Sequence, residues 1–286
     1  MVHEARSVPS EYEQAVLERI RRWQAEAPGP AARGFAVAAG PATRAMQSMV
    51  PVSAFRRALA AADDAGRRVA DLRSVLKLAG VATLAELAAA DLPHCDAVAN
   101  RVRRRAMAAA GTGGIVFGVV GAPGMVADVS ALLVLALRTI HRIAACYGRE
   151  LADGADARLA IGVFALASAN TLAEKQAALR ALADPGPAVE LADAAWRDGI
   201  ERAAERELAK EAAVLSLQNL ARQLSLNLGW RKAGGALPVI GAAVGGSVNA
   251  WYLHDLSRTA QFCFQAAWLQ QRYPEAAGPD RLPTPD

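Results

Sequence analysis

Four short constellations in this sequence hold residue types that could do chemistry. Gly111-Thr112-Gly113-Gly114-Ile115-Val116-Phe117-Gly118 has the glycine content of a phosphate-cradling loop. A dinucleotide fingerprint needs its third glycine at position 116, which is Val116, and a strand ahead of it, which the flanking residues do not provide. Gly245-Gly246-Ser247-Val248-Asn249 places a serine after two glycines but lacks the closing glycine and the strand of a nucleophile elbow, so Ser247 reads as a small packing residue. His94-Cys95-Asp96 offers three ligand types in a row, yet adjacent side chains diverge, and no HExxH motif or i, i+4 histidine pair accompanies them. That stretch reads as a loop or helix cap, and no metal or cofactor is expected. The fourth constellation is Asp128, Asn249 and Asp255. Each of the two carboxylates closes a long apolar run and Asn249 lies inside one, where an unpaired polar group is costly. The carboxylates are expected to cap or staple the following helix, paired with an arginine such as Arg138 or Arg258. The competing reading gives them a cation, a lipid headgroup or a proton.

Two uncharged runs of 22 residues have to position these groups. The first, Ala106 to Ala127, contains Gly111, Gly113, Gly114, Gly118, Gly121 and Gly124; the second, Ala233 to His254, contains Gly234, Gly235, Gly241, Gly245 and Gly246. Each carries a GxxxG step, Gly114 to Gly118 and Gly241 to Gly245, and the pair reads as a weak internal duplication. Glycine in a helix interior costs about 0.5 to 1 kcal/mol against alanine, so close backbone packing is expected to compensate, through Gly114, Gly118, Gly121, Gly241 and Gly245. A 22-residue helix is about 33 Å long, enough to cross a hydrocarbon core. Cations stand on both sides, however: Arg101, Arg103, Arg104 and Arg105 before the first run, with Arg138, Arg142 and Arg149 after it, and Arg231 and Lys232 before the second, with Arg258 and Arg272 after it. Under the positive-inside rule both ends of each run stay in the cytosol, which predicts two helical hairpins, the first bending near Ala122-Pro123-Gly124. The hairpins either pack inside a soluble or peripheral domain or dip into a membrane.

The remaining chain reads as helix. Alanine is close to a quarter of the sequence, and no period-two alternation of β-branched residues is sustained. Ser10 and Glu13 form a capping box that opens an amphipathic helix to Ala27, with Tyr12, Val16, Ile20 and Trp23 on one face. Between Ala45 and Ala90, Asp63-Asp64 reads as a helix start and Gly80 as a stop. Glu174 to Glu211 reads as a solvated, ion-paired face. The expected architecture is all-α: a flexible N-terminus over 1–9, one bundle-like helical domain over 10–273 with two glycine-rich apolar hairpins, and a Pro-rich disordered tail over 274–286.

Composition narrows the function. A net charge of +4 and 5% aromatics are too little for a nucleic-acid interface, so no such partner is expected. Cys95, Cys146 and Cys263 are an odd set without CxxC spacing, which fits a reducing cytosol. The first ten residues lack the basic and apolar regions of a secretory signal.

Gly118-Val-Val-Gly121-Ala-Pro-Gly124-Met-Val-Ala-Asp128, followed by Leu132-Leu133, Leu137-Arg138, Ile140, Ile143-Ala144 and Tyr147-Gly148, resembles the central signature of the EcsC family. Leu237-Pro238-Val-Ile-Gly241-Ala-Ala-Val-Gly245-Gly246, then Asn249, Asp255, Ala260 and Phe264, resembles its C-terminal signature. The resemblance runs from Glu11 to Tyr273 and implies a helical, mainly bacterial protein with no established catalytic residues.

The expected function is therefore non-enzymatic and membrane-associated. Arg101, Arg103, Arg104, Arg105, Arg231 and Lys232 would attract anionic headgroups, and the glycine-rich faces would dock on a membrane surface or a membrane-protein partner. The expected location is the cytoplasm, peripheral to or hairpin-inserted at the inner membrane. The alternative is a hydrolase acting on lipid or cell-wall material, with Asp128, Asn249 and Asp255 in one cleft. Self-association of the chain is a third reading of its alanine-rich surface.

Overall fold

The capping box forms as the sequence dictates. Ser10 Oγ accepts from the Glu13 backbone N–H at 3.3 Å, and the Glu13 carboxylate accepts from the Ser10 N–H at 2.7 Å. It opens α1, Glu11–Ala25. The computed structural model describes residues 8–28, 52–117, 122–152, 155–169, 171–183 and 237–274. Among these residues there are eight further helices and no strand: α2 Val52–Arg68, α3 Leu72–Ala79, α4 Leu84–Ala89, α5 Leu92–Phe117, α6 Ala122–Cys146, α7 Ala155–Ala167, α8 Leu172–Ala183 and α9 Leu237–Arg272. The fold is all-α, as its composition requires.

Three long helices make the frame. Near its N-terminus α5 meets the C-terminal end of α6, where the Tyr147 hydroxyl donates to Asp96 at 2.6 Å, and α5 ends at Phe117 only a few positions before α6 begins at Ala122. The two are therefore antiparallel. Helix α9 packs chiefly on α5 and also runs antiparallel to it: Gln265 reaches Asp96, and Arg272 reaches the Ala88 and Ala90 carbonyls just ahead of α5. Carried along both helices, this register sets about 244–255 beside 106–117.

Below that level a continuous core forms where three faces meet. Helix α5 contributes Leu92, Cys95, Val98, Ala99 and Val102; α6 contributes Leu137, Ile140, Ile143 and Ala144; α9 contributes Leu253, Leu256, Ala260 and Phe264. Their three- and four-residue spacing is the apolar stripe of a buried helix face. The shorter helices wrap this lower half. Trp23 of α1 stacks on Phe262 with ring centroids 4.9 Å apart. Helix α2 lies so close to α6 that a Cβ on Gly66 would come within 2.8 Å of the Arg138 nitrogen. Helix α6 ends in a Schellman motif: Gly148 has φ +73°, its N–H donates to Ala145 O at 3.0 Å, and the Arg149 N–H donates to Ala144 O at 3.1 Å.

Several expectations need correction. The second glycine-rich run is no hairpin: its described part, from Leu237, belongs to one unbroken 36-residue helix that carries on past Asp255. The first run is split between two helices, so the two runs are not structural copies. Pro123 and Pro238 are each the second residue of a helix, where the missing N–H costs nothing. Asp63 lies inside α2 rather than at a helix start, because α2 begins at Val52. Gly80 does stop α3, with φ +72°. No helix among the described residues is long and apolar enough to cross a membrane. Residues 1–7, 275–286 and 184–236, with the expectations placed on them, lie outside the described residues.

Candidate functional site

The arginine-rich approach to the first glycine run occupies the middle of α5, and helical geometry spreads it around the axis. Arg101 is exposed, and its Nη1 donates to the Leu78 carbonyl at the end of α3 at 3.3 Å. Arg104 and Arg105 are exposed, while Arg103 is half-buried against α9. Burial first, then the like charges of Arg258 and Arg104, lower the pKa of Arg103. On α9, burial followed by Arg103 and Arg258 holds His254 below its ordinary pKa, opposed by Asp255. These groups form a collar of mainly positive charge where the uncharged stretches of α5 and α9 begin.

Lys175 closes one side of the collar. Its ammonium donates to the Trp23 carbonyl and, at 3.0 Å, to the Glu26 carbonyl, and it sits 4.3 Å from the centroid of the Trp23 ring. These are the last carbonyls of α1, which a cation stabilises. Burial lowers its pKa to about 8 against the pull of Glu26 and Asp255. The expectation of a fully solvated face from Glu174 onward fails at this residue, which is 5% exposed.

A second polar cluster lies deeper, centred on Asp96. Its Oδ1 accepts from the Tyr147 hydroxyl at 2.6 Å and from Gln265 Nε2 at 2.7 Å, and its Oδ2 accepts from the Tyr12 hydroxyl at 2.7 Å. One carboxylate thus ties α1, α5, α9 and the residue that ends α6 together. Burial and the Asp96 charge raise the pKa of both phenols, Tyr12 to about 12 and Tyr147 well above its usual value. Both phenols therefore stay protonated and act as donors. Glu13 repeats the scheme at the rim, accepting from the Tyr273 hydroxyl at 3.2 Å. A third buried pair, His141 Nε2 and Asp63 Oδ1 at 2.9 Å, pins α6 to α2.

These clusters join helices within the core of the described residues. Cys95, Cys146 and Cys263 are buried thiols whose pKa values burial raises, so they are not nucleophiles. No group of three or more His, Cys, Asp or Glu side chains among the described residues is placed to hold a metal ion. A cleft of about 270 Å³ opens between α1 and α8, lined by Arg21, Gln24, Gln176, Leu179 and Arg180. It sits at the carbonyl ends of both helices and contains no carboxylate, histidine or thiol.

Of the residues expected to form a polar site, only Asp255 has a described side chain. Asp128 is the seventh residue of α6. Positions 249 and 255 lie six apart on α9, which separates them by about 9 Å along the axis and by about 240° around it. Asp255 is mid-helix and caps nothing, and it has no ion pair among the described residues. The side chains of Asp128 and Asn249 lie outside the described residues, as do Gly118, Gly121, Arg231 and Lys232 entirely. Gly114 falls in α5, and Gly241 and Gly245 fall in α9. His94-Cys95-Asp96 is not a loop: it lies in the first turns of α5, whose start Asp91 caps through the His94 N–H at 3.0 Å. The Asp96 cluster was the feature that motif reasoning missed. Its signal is spacing, since Asp96 falls among Leu92, Cys95, Ala99 and Val102 on the apolar stripe.

The described residues thus form an all-helical bundle, closed at one end around a buried carboxylate and carrying at the other glycine-rich helix in which Asp128 is the one charged position. The chain belongs to the EcsC protein family, whose model matches residues 14–269. Comparison with curated proteins and with solved structures gave no match.

Proposed function

We propose that this chain is a non-enzymatic, membrane-associated protein that docks the glycine-rich end of its bundle on an anionic membrane surface from the cytoplasmic side. The supporting observation is the antiparallel register of α5, α6 and α9, which collects 106–117, 122–137 and 237–253 at one end of the frame. Asp128 is the one charged position in those segments. Helix lengths suit shallow entry rather than crossing: 106–117 reaches about 18 Å, against a hydrocarbon core of about 30 Å. The collar of Arg103, Arg104, Arg105 and Arg258 then meets the headgroups, where each exposed cation contributes about 1 kcal/mol. Close contact between helices in that end compensates for its glycines, with Gly114, Gly241 and Gly245 as the packing positions.

Flotation with phosphatidylglycerol vesicles tests the reading. Binding at low salt is expected, with weakening as salt screens the collar. The double variant Arg104→Gln/Arg105→Gln should lose about 2 kcal/mol, or roughly 30-fold in partitioning. Protein that stays with the soluble fraction at low salt refutes surface binding. Capture by native membranes, but not by protein-free vesicles, transfers the reading to a membrane-protein partner.

A further inference from the structure

Arg101 and Arg105 are four residues apart on α5, and Arg138 and Arg142 are four apart on α6, so each pair stacks on one helix face. The register set by Tyr147 on Asp96, carried along the two antiparallel helices, brings Arg101 level with Arg142 and Arg105 level with Arg138, and Arg105 is near enough to act on the Arg142 charge. Helix α3 anchors the lower members. Arg101 donates to the Leu78 carbonyl, and Arg142 Nη2 donates to Ser74 Oγ at 2.9 Å. One turn nearer the glycine-rich end, Arg105 and Arg138 border the uncharged segments.

This grouping is electrostatically unbalanced. Burial first, then Arg138, lowers the pKa of Arg142; Arg105 adds to the repulsion, and Asp71 is the acid that opposes it most. The Nε atoms of Arg138 and Arg142 are buried without a hydrogen-bond partner among the described residues. A buried guanidinium donor normally finds an acceptor, and among the described residues the half-buried Arg138 and Arg142, with the exposed Arg105 beside them, form no ion pair. The planar forks of arginine suit a phosphate, which accepts from two or three of them at once.

We propose that Arg105, Arg138 and Arg142 form a site for a phosphate-type oxyanion supplied by a phospholipid headgroup. The lipid source rests on the membrane reading above; the oxyanion chemistry rests on the cluster alone. Such a site adds headgroup recognition to the general attraction of the collar, and it lies where a phosphate would stand when the apolar end enters the bilayer.

The test compares phosphatidylglycerol vesicles with vesicles of equal surface charge whose anion is a carboxylate lipid, and adds inorganic phosphate in a thermal-melt series. The wild-type chain should bind the phosphate vesicles at least about fivefold more tightly than the carboxylate ones, a preference that point charges alone do not give. Arg138→Gln and Arg105→Gln should each abolish the preference while keeping wild-type circular dichroism; Arg105 is exposed, so its variant keeps the test independent of folding. Equal binding to both vesicles overturns the inference and leaves the membrane reading intact. No vesicle binding, with an Arg138-dependent rise in Tm in phosphate, supports the oxyanion site with free phosphate as its source and overturns the membrane reading. No effect in any arm overturns both.

Discussion

Replacing Asp96 with alanine removes one acceptor from three donors at once. Tyr147 and Gln265 are 6% and 4% exposed, so neither recovers its hydrogen bond from water, whereas Tyr12 is 39% exposed and does. Each stranded buried donor costs about 2 kcal/mol, and the rim donor well under 1 kcal/mol, for a total of about 4 kcal/mol. For a chain of this size that corresponds to a fall in Tm of about 7 °C. Asp96→Asn should cost about 1 to 2 kcal/mol, because its carbonyl oxygen still accepts while charge assistance is lost. Urea unfolding followed by circular dichroism measures all three proteins. A double-mutant cycle of Asp96→Ala with Tyr147→Phe should show a coupling of about 1 to 3 kcal/mol. Loss of less than about 1 kcal/mol in Asp96→Ala, or a coupling near zero, would refute the view that this carboxylate closes the bundle.

The same cluster sets an alkaline limit. Tyr12 titrates at about 12 in the fold but near 10 when unfolded, so its contribution is complete below pH 10 and is lost as pH rises toward 12. Stability measured across that window should fall, and less steeply in Tyr12→Phe. Lys175 acts in the opposite sense: with a folded pKa of about 8 against 10.5 unfolded, the unfolded chain binds more protons in between, and stability rises over that interval. Lys175→Met should flatten the rise in a pH series of unfolding curves. Gly148→Ala should cost about 3 kcal/mol or more, since its φ of +73° is left-handed and the new Cβ would lie 2.3 Å from Ala88 Cα; a melt within a few degrees of wild type would contradict that packing. Asp128→Asn should strengthen vesicle partitioning several-fold by removing the one charge from the apolar end, and unchanged flotation would place residue 128 outside the bilayer.

The sequence by itself determined the class of fold, the start of α1 and the end of α3. These follow from interactions within a few residues: alanine-rich helix propensity, the Ser10–Glu13 box and a glycine able to take positive φ. The family was legible too, because its signatures lie in the glycine-rich segments and were read directly. What the sequence left open was what happens between distant positions. It expected Asp255 to cap or staple a following helix, because that residue closes an apolar run; the fold carries α9 straight through it, since its next turns supply Leu256, Ala260 and Phe264 to the core. It read His94-Cys95-Asp96 as a loop or helix cap, because adjacent side chains cannot converge on one ion, whereas the fold buries Asp96 inside α5, which is costly for a carboxylate alone. Only tertiary structure brings Tyr12, Tyr147 and Gln265, from 84, 51 and 169 residues away, to make that burial favourable. The pairing of Arg101 and Arg105 with Arg138 and Arg142 has the same origin. Spacing on each helix is local and visible in the sequence, whereas the register between two antiparallel helices is set by the contacts at their far ends.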